Sequence, residues 1–199
     1  MSFQVKRSSI LSFLFGGYMK LSYYYFLCLL LLPFTSTLSQ TGNTYVGAET
    51  CGMCHKSEKQ GSQLSIWKAS AHSKAYEVLK TAEADSIAKA KGLSTNAVLS
   101  EACLKCHVSG YNINASLKTA KFKMEDGVQC ETCHGAGSAY KDMKIMKDKN
   151  LAIQKGLIVP DKLEEFCVSC HNNESPTFVK MDINEAWDKI KHNIPQEKK

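Results

Sequence analysis

Apolar residues in this chain recur at the spacing of helices rather than of strands. Intervals of three and four residues predict an amphipathic helix over 60–81, whose apolar side comprises Leu64, Trp67, Ala71, Ala75 and Val78. Further helices are predicted over 82–92, 138–153 and 182–192, the first of them ended by Gly92. Strict alternation of apolar and polar residues is weak. The pattern therefore predicts a mainly α fold in which loops join short helices.

The N-terminal segment has a different pattern, which is typical of secretory signal peptides. It carries Lys6, Arg7 and Lys20 without any acidic residue, and its apolar run covers 21–34. Small and polar residues follow this run. The segment is therefore predicted to be a signal peptide over 1–39, removed by cleavage near its end, and the protein is expected to be exported to the periplasm.

Two details of this segment leave alternatives open. Met19 and the lysine after it would begin a compact signal on their own, which supports the hypothesis that Met19 is the initiator. The apolar run is shorter than the roughly 20 residues of a membrane span, so a retained anchor is the less favoured alternative. Cys28 lies inside the run rather than at its end, which argues against lipidation. The mature protein is expected to be one domain over 40–199, without a retained membrane span.

A Cys-x-x-Cys pair followed at once by histidine occurs four times. The four motifs are Cys51-Gly-Met-Cys54-His55, Cys103-Leu-Lys-Cys106-His107, Cys130-Glu-Thr-Cys133-His134 and Cys167-Val-Ser-Cys170-His171. The spacing is that of covalent haem c attachment, in which two thiols bond to the porphyrin edge and the adjacent imidazole ligates the iron. We therefore expect these cysteines to bind four haems and the four motif histidines to be proximal iron ligands.

Other classes of protein also use Cys-x-x-Cys pairs, among them zinc ribbons and thioredoxin-like proteins. Neither class explains the histidines, because the chain has only 6 His in 199 residues and four of them directly follow the four pairs. A disulfide framework would use the same cysteines and leave the histidines equally unexplained. Haem attachment is therefore the preferred interpretation.

Haem density and charge restrict the fold and the partners. About 160 mature residues with four haems leave about 40 residues per haem, too few to build a protein core around each one. We expect a small multihaem cytochrome c fold, with helices and loops wrapped around four covalent haems and an apoprotein that is largely unfolded. Cleavage of the signal lowers the formal charge of +6 by three, and haem propionates would lower it further. The only arginine is Arg7, so no nucleic-acid partner is expected.

Few side chains remain for the sixth coordination position of each iron. After the proximal histidines only His72 and His192 are left, so at most two irons can have two histidine ligands from this chain. His72 lies beside an apolar helix side, which favours ligation over an ordinary satisfied histidine. His192 lies off the apolar face of its helix, so an exposed helix-end histidine stays open beside ligation. Met143, or Met146 one turn later, could supply a thioether ligand, with core packing as the alternative.

The order of the motifs and their flanking segments resembles the tetrahaem cytochrome c-554 family. The segments that carry the resemblance are CGMCHK, IWKASAHSKA, CLKCHVSGYN, GVQCETCHGAG and CVSCHNNESP, between Tyr45 and about His192. The second segment, with Trp67 and His72 placed after the first motif, is the most specific. The resemblance implies a mostly helical fold with closely packed, partly stacked haem pairs, three irons with a second axial ligand and one five-coordinate iron.

Carried over by position, the resemblance implies that His72 and His192 are two of the family's distal histidines. The third falls in the segment after GAGSAYKD, where this chain has Met143 instead of histidine. That iron is therefore ligated by histidine and methionine, five-coordinate, or completed by another group. The resemblance also implies that the open iron of the family belongs to the second motif, at His107.

The first hypothesis for function is an electron carrier in a respiratory chain. The resemblance implies a role like that of family members known from ammonia-oxidising bacteria, which accept electrons from hydroxylamine oxidoreductase. We expect redox partner proteins, namely a donor oxidoreductase and an acceptor cytochrome or membrane complex. Four lysines could guide docking to an acidic partner, or they could simply form a solvated helix face. They are Lys141, Lys144, Lys147 and Lys149. The second hypothesis is a reductase of a small ligand such as nitric oxide at a five-coordinate iron, and sensing or storage is a third.

Overall fold

The computed structural model of the protein describes residues 42–193. The predicted signal peptide over 1–39 lies outside these residues, together with Met19 and Cys28. Among the described residues, no helix is both long enough and apolar enough to cross a membrane.

Residues 42–193 form ten short α-helices, with 3-10 turns and loops between them. The helices are α1 (Ala48–Gly52), α2 (Gln63–Ala69), α3 (Ala75–Val78), α4 (Ala82–Ala90), α5 (Glu101–His107), α6 (Cys130–His134), α7 (Met143–Met146), α8 (Lys149–Gln154), α9 (Leu163–Val168) and α10 (Ile183–Ile190). The only β pairing within this range is an isolated parallel bridge between Tyr45 and Lys118. The mainly α fold predicted from the sequence is confirmed.

The prediction of one helix over 60–81 is wrong, because the helix is broken at Ser70. This residue has an extended backbone (φ −78°, ψ 161°), and a 3-10 turn over His72–Lys74 then leads into α3. The Ser70 hydroxyl donates to the carbonyl of Trp67 at 2.7 Å, and the Ser73 hydroxyl donates to the carbonyl of Ser70 at 3.0 Å. Serine side chains bonded in this way compete with the helical hydrogen bonds of the backbone. The break places His72 in a turn rather than along a continuous helix.

The helix predicted over 138–153 is also divided, into α7 and α8. Asp142 and Asp148 have extended backbones. At the start of the helix that follows, the Asp142 side chain accepts a hydrogen bond from one amide and the Asp148 side chain from two. Aspartate in this N-cap position begins a new helix, which interrupts the longer one. The helices predicted over 82–92 and 182–192 are confirmed, as α4 and α10.

The apolar core of the described residues is small and rich in alanine. Its buried members are Val46, Ala48, Leu79, Ala84, Ala88, Ala97, Val108, Tyr140 and Ala152. Larger apolar side chains are exposed instead, including Met53 and Val168 inside the first and fourth motifs. Alanine buries little apolar area, so a large apolar group bound at the motifs would supply packing that the side chains do not.

Candidate haem-binding site

Each of the four motifs is wound into about one turn of helix. The second motif lies in α5 and the third in α6, while the first and fourth begin near the ends of α1 and α9. There the turn continues, since the amide of His55 donates to the carbonyl of Cys51 at 3.0 Å and that of His171 to Cys167 at 2.9 Å. Residues three and four apart in a helix share a face, so each turn presents two thiols and an imidazole on one side. Haem c attachment requires this arrangement.

The chemistry of the donor groups fits haem c better than a bare metal ion. The eight motif cysteines are free thiols and form no disulfide within the described residues. In the same range, no three His, Cys, Asp or Glu side chains are grouped so that they could hold a metal ion, as a zinc ribbon would require. The motifs instead present separate pairs of thiols, each next to one imidazole.

Neighbouring thiols place the motifs in a row, in the order first, third, fourth and second. The neighbours are Cys51 with Cys130, Cys133 with Cys167, and Cys106 with Cys170. Burial, followed by the neighbouring thiols, raises the pKa of Cys133 and of Cys106 to about 11. A hydrogen bond to Cys130 raises the pKa of Cys51. Groups bound at successive motifs of this row would therefore lie close together.

Two pairs of histidines lie at a distance that suits one iron between the members of each pair. The ring centroids of His72 and His171 are 6.1 Å apart, and those of His134 and His192 are 6.0 Å apart. With metal–nitrogen bonds of about 2 Å, two imidazoles on opposite sides of one ion have centroids about 6 Å apart. Burial lowers the pKa of His72 and of His134, which favours the neutral imidazole that ligates metals. The distances fit His72 as the partner of the fourth motif and His192 as the partner of the third.

The loop before the third motif holds His72 in place. The amide of Val128 donates to the carbonyl of His72 at 2.9 Å, and the indole Nε1 of Trp67 donates to the carbonyl of Val128 at 2.8 Å. Gly127 permits this approach, because its φ is +66° and a Cβ there would lie 2.6 Å from the His72 carbonyl oxygen. The Trp67–His72 segment and the loop before the third motif thus form one hydrogen-bonded unit.

His192 is held beside the turn that follows the first motif. A Cβ at Gly61 would clash with the carbonyl oxygen of Asn193, and the φ of Gly61 is +92°, so glycine permits the close approach. The Nδ1 of His192 lies 2.9 Å from the carbonyl oxygen of Ile190. Donation from Nδ1 leaves Nε2 available to a metal.

Backbone carbonyls also orient two of the proximal histidines. The Nδ1 of His107 lies 2.7 Å from the carbonyl oxygen of Ala75, and that of His134 lies 2.9 Å from the carbonyl oxygen of Ile158. Donation from Nδ1 fixes the tautomer and makes Nε2 a stronger electron donor to a metal. Both rings are therefore oriented for ligation by the backbone alone, independently of any distal ligand.

The remaining predicted ligands have no such pairing. Within residues 42–193 neither His55 nor His107 belongs to a ring pair of this kind, although His55 lies near His134. Met143 begins α7 with its side chain 63% exposed, whereas Met146 is half-buried. Thioether ligation stays a prediction. The first and second motifs are the places where a methionine ligand or an open coordination position would occur.

Sequence reasoning missed the residues that position the distal histidines. Gly127 and Gly61 act through positive φ angles and close backbone approach, and Ile158 acts only through its main chain. A glycine near a motif is a weak signal of such a contact, and the partner of that glycine cannot be named from spacing. The main-chain role of Ile158 leaves no signal in the sequence.

Comparison with known proteins finds a family model and a relative that are similar to part of the chain. Residues 50–135 match the family model described as cytochrome c554 and c-prime. The chain is 31% identical over 143 residues to cytochrome c-554 of Nitrosomonas europaea, across 65% of this chain and 58% of that protein. The matched part thus spans little more than half the length of this relative. No solved structure matches the chain.

Proposed function

We propose that the chain is a member of the cytochrome c-554 family, to which it is similar, and that it is an exported tetrahaem cytochrome that carries electrons between redox partners of a respiratory chain. Membership of this family implies covalently bound haem c and a role in electron transport. The observation that carries the proposal is the combination of four Cys-x-x-Cys-His turns with two histidine pairs at iron-ligating distance. Four haems, one at each motif, are part of the proposal.

Haem c supplies reversible one-electron chemistry when bound, and the protein holds it and tunes its potential. The motif thiols would anchor the porphyrin edge at each turn. His72 with His171 would ligate the iron held at the fourth motif, and His192 with His134 would ligate the iron held at the third. Two histidine ligands keep small molecules away from an iron, which suits transfer of electrons rather than chemistry on a substrate.

The arrangement of the motifs in a row supports transport along the molecule. The third and fourth motifs, which have the histidine pairs, lie in the middle of the row, and the first and second lie at its ends. Lys105 of the second motif forms an ion pair with Glu174, which follows the fourth motif, and this contact joins that end of the row. A donor oxidoreductase and an acceptor cytochrome or membrane complex would then dock near different motifs.

Exposed lysines offer a surface for a partner of opposite charge. Lys141, Lys144, Lys147 and Lys149 are all exposed, in and around α7 and α8. Clustered positive charge accelerates the approach of an acidic protein, and the effect weakens as salt is added. We place the encounter in the periplasm, in keeping with the signal peptide predicted over 1–39.

A second candidate function is reduction of a small ligand at the second motif. The observation that favours it is His107, which has its Nδ1 fixed by Ala75 and faces no histidine within the described residues. An open position is necessary for such a reaction, but proton donors beside it are needed as well. The histidine pairs at the third and fourth motifs favour electron transport, which remains the first proposal.

Purified holoprotein tests the proposal through its haem content and its spectra. We expect four covalent haems per chain, and low-temperature EPR with near-infrared MCD should show two irons with two histidine ligands. Fewer than four haems, or no bis-histidine iron, would contradict the proposal. Fast turnover of nitric oxide or hydroxylamine would instead favour the reductase.

A further inference from the structure

The third motif contains a buried carboxylate that takes no part in haem attachment. Glu131 follows Cys130 in α6 and is 1% exposed. Its oxygens accept hydrogen bonds from the amides of Val46 at 2.8 Å, Gly47 at 2.8 Å and Gly137 at 2.7 Å. None of the ion pairs within residues 42–193 includes it. The carboxylate is therefore compensated by backbone amides alone.

These hydrogen bonds join the first motif to the third. Two of the three amides belong to the stretch that leads into α1, which carries Cys51. Gln129 reinforces the connection, since its Oε1 accepts a hydrogen bond from the amide of Ala48 at 3.0 Å. The thiols of Cys51 and Cys130 lie close to each other. Glu131 thus lies close to the attachment points of two different haems.

The hydrogen-bond pattern matches the ionised form of the side chain. Every partner of Glu131 is an N–H donor, and a protonated acid would direct its own O–H against one of these donors. The charge also acts on its surroundings. Burial is the larger cause of the raised pKa of Tyr45, and the charge of Glu131 is the second cause. A buried charge is screened far less than a surface charge. Its field therefore reaches groups bound at both neighbouring motifs.

We propose that the Glu131 carboxylate lowers the reduction potentials of the haems bound at the third and first motifs, and so acts as a positioning and potential-setting residue. The inference rests on the proposed function, because it requires haem at these motifs. Reduction adds one electron, supplied by the redox partner, and makes the charge at the iron less positive by one. A fixed negative charge nearby favours the oxidised state. No bond is formed or broken in this step.

The test is a potentiometric titration of the purified holoprotein, followed by visible absorption. Glu131→Gln keeps the size of the side chain and removes its charge. Glu101→Gln is the matched control, because Glu101 also lies in a motif helix, two residues before Cys103, but is exposed. We expect E131Q to weaken the preference for the oxidised state about tenfold at one or two haems. For a one-electron couple this corresponds to a rise of about 59 mV in the reduction potential. The E101Q protein should show a much smaller shift, because water and salt screen its charge.

The outcomes separate this inference from the function on which it rests. Haem content of the wild-type protein tests the function alone, and absence of covalent haem would overturn that function. Four haems in E131Q with wild-type potentials would overturn the role of Glu131.

If E131Q does not load four haems, Glu131→Asp decides whether the site requires the charge or the shape of the side chain. This substitution keeps the charge and shortens the side chain. Full loading of E131D with wild-type potentials would support the charge as the property that the site requires. Failure of E131D as well would overturn the inference, because the exact shape of the side chain would then be its contribution.

Discussion

Replacement of Gly127 by alanine should separate His72 from His171 without changing either histidine. Gly127 has φ +66° and ψ −132°, a conformation that residues with a Cβ rarely adopt. The added Cβ would lie 2.6 Å from the carbonyl oxygen of His72 and 3.2 Å from the amide nitrogen of Ala75. Both of these atoms belong to backbone, so no flexible side chain can move aside to relieve the overlap.

The expected effect can be estimated from these distances. Backbone strain at such a position costs about 1–3 kcal/mol, and overpacking costs about 1–3 kcal/mol more. We therefore expect a loss of about 2–6 kcal/mol in the free energy of unfolding. Relief of the clash also requires the turn that carries His72 to move by roughly 0.6–0.8 Å, which is large compared with a metal–nitrogen bond of about 2 Å.

Low-temperature EPR and near-infrared MCD of the oxidised holoprotein measure this effect, because they count the bis-histidine irons. Gly92→Ala is the matched control, since Gly92 has φ +72° but a Cβ there would meet no atom within 4 Å. We expect G127A to have one bis-histidine iron fewer than the wild type, and G92A to have the same number. If G127A retains both bis-histidine irons, the contact at Gly127 does not position an axial ligand and the reasoning is refuted.

Three further predictions concern other parts of the site. Gly61→Ala should remove the ligand His192, because the Cβ of the new alanine would clash with Asn193. The EPR spectrum should then show one bis-histidine iron fewer, and an unchanged count would contradict the prediction. Met143→Leu should abolish the His/Met signal in near-infrared MCD, while Met146→Leu leaves it; the opposite result would assign Met146. Protein produced without haem should show little helix in far-UV circular dichroism, because the alanine-rich core buries little apolar area. A cooperative thermal transition of such an apoprotein would contradict this expectation.

The regular helices could be predicted from the sequence, whereas their interruptions could not. Helices α4 and α10 follow from apolar periodicity, and Gly92 lies just beyond the end of α4. The breaks at Ser70, Asp142 and Asp148 depend on one or two local hydrogen bonds between a side chain and the backbone. Apolar periodicity continues across these positions, so it does not reveal that the polar residue ends one helix and begins another.

The same distinction applies to the site. The proximal groups are predictable, because two thiols and an imidazole within one helical turn are a local property of the sequence. The partner of each distal histidine is not local, since it depends on backbone contacts at Gly127 for His72 and at Gly61 for His192. Glu131 is part of the third motif, but two of its three partners, Val46 and Gly47, lie 85 and 84 residues earlier in the sequence. Spacing alone could not identify contacts of this kind.

The histidine pairs have a consequence for the order in which the protein assembles. His72 precedes His171 by about 100 residues, and His192 follows His134 by about 60, so both pairs close large loops of chain. Haem attachment, by contrast, requires only the few residues of one motif. Covalent loading should therefore be complete before either pair forms, and contacts between such distant residues fold slowly. The chain would leave its attachment machinery carrying four haems in an open form and close around them in a later, rate-limiting step.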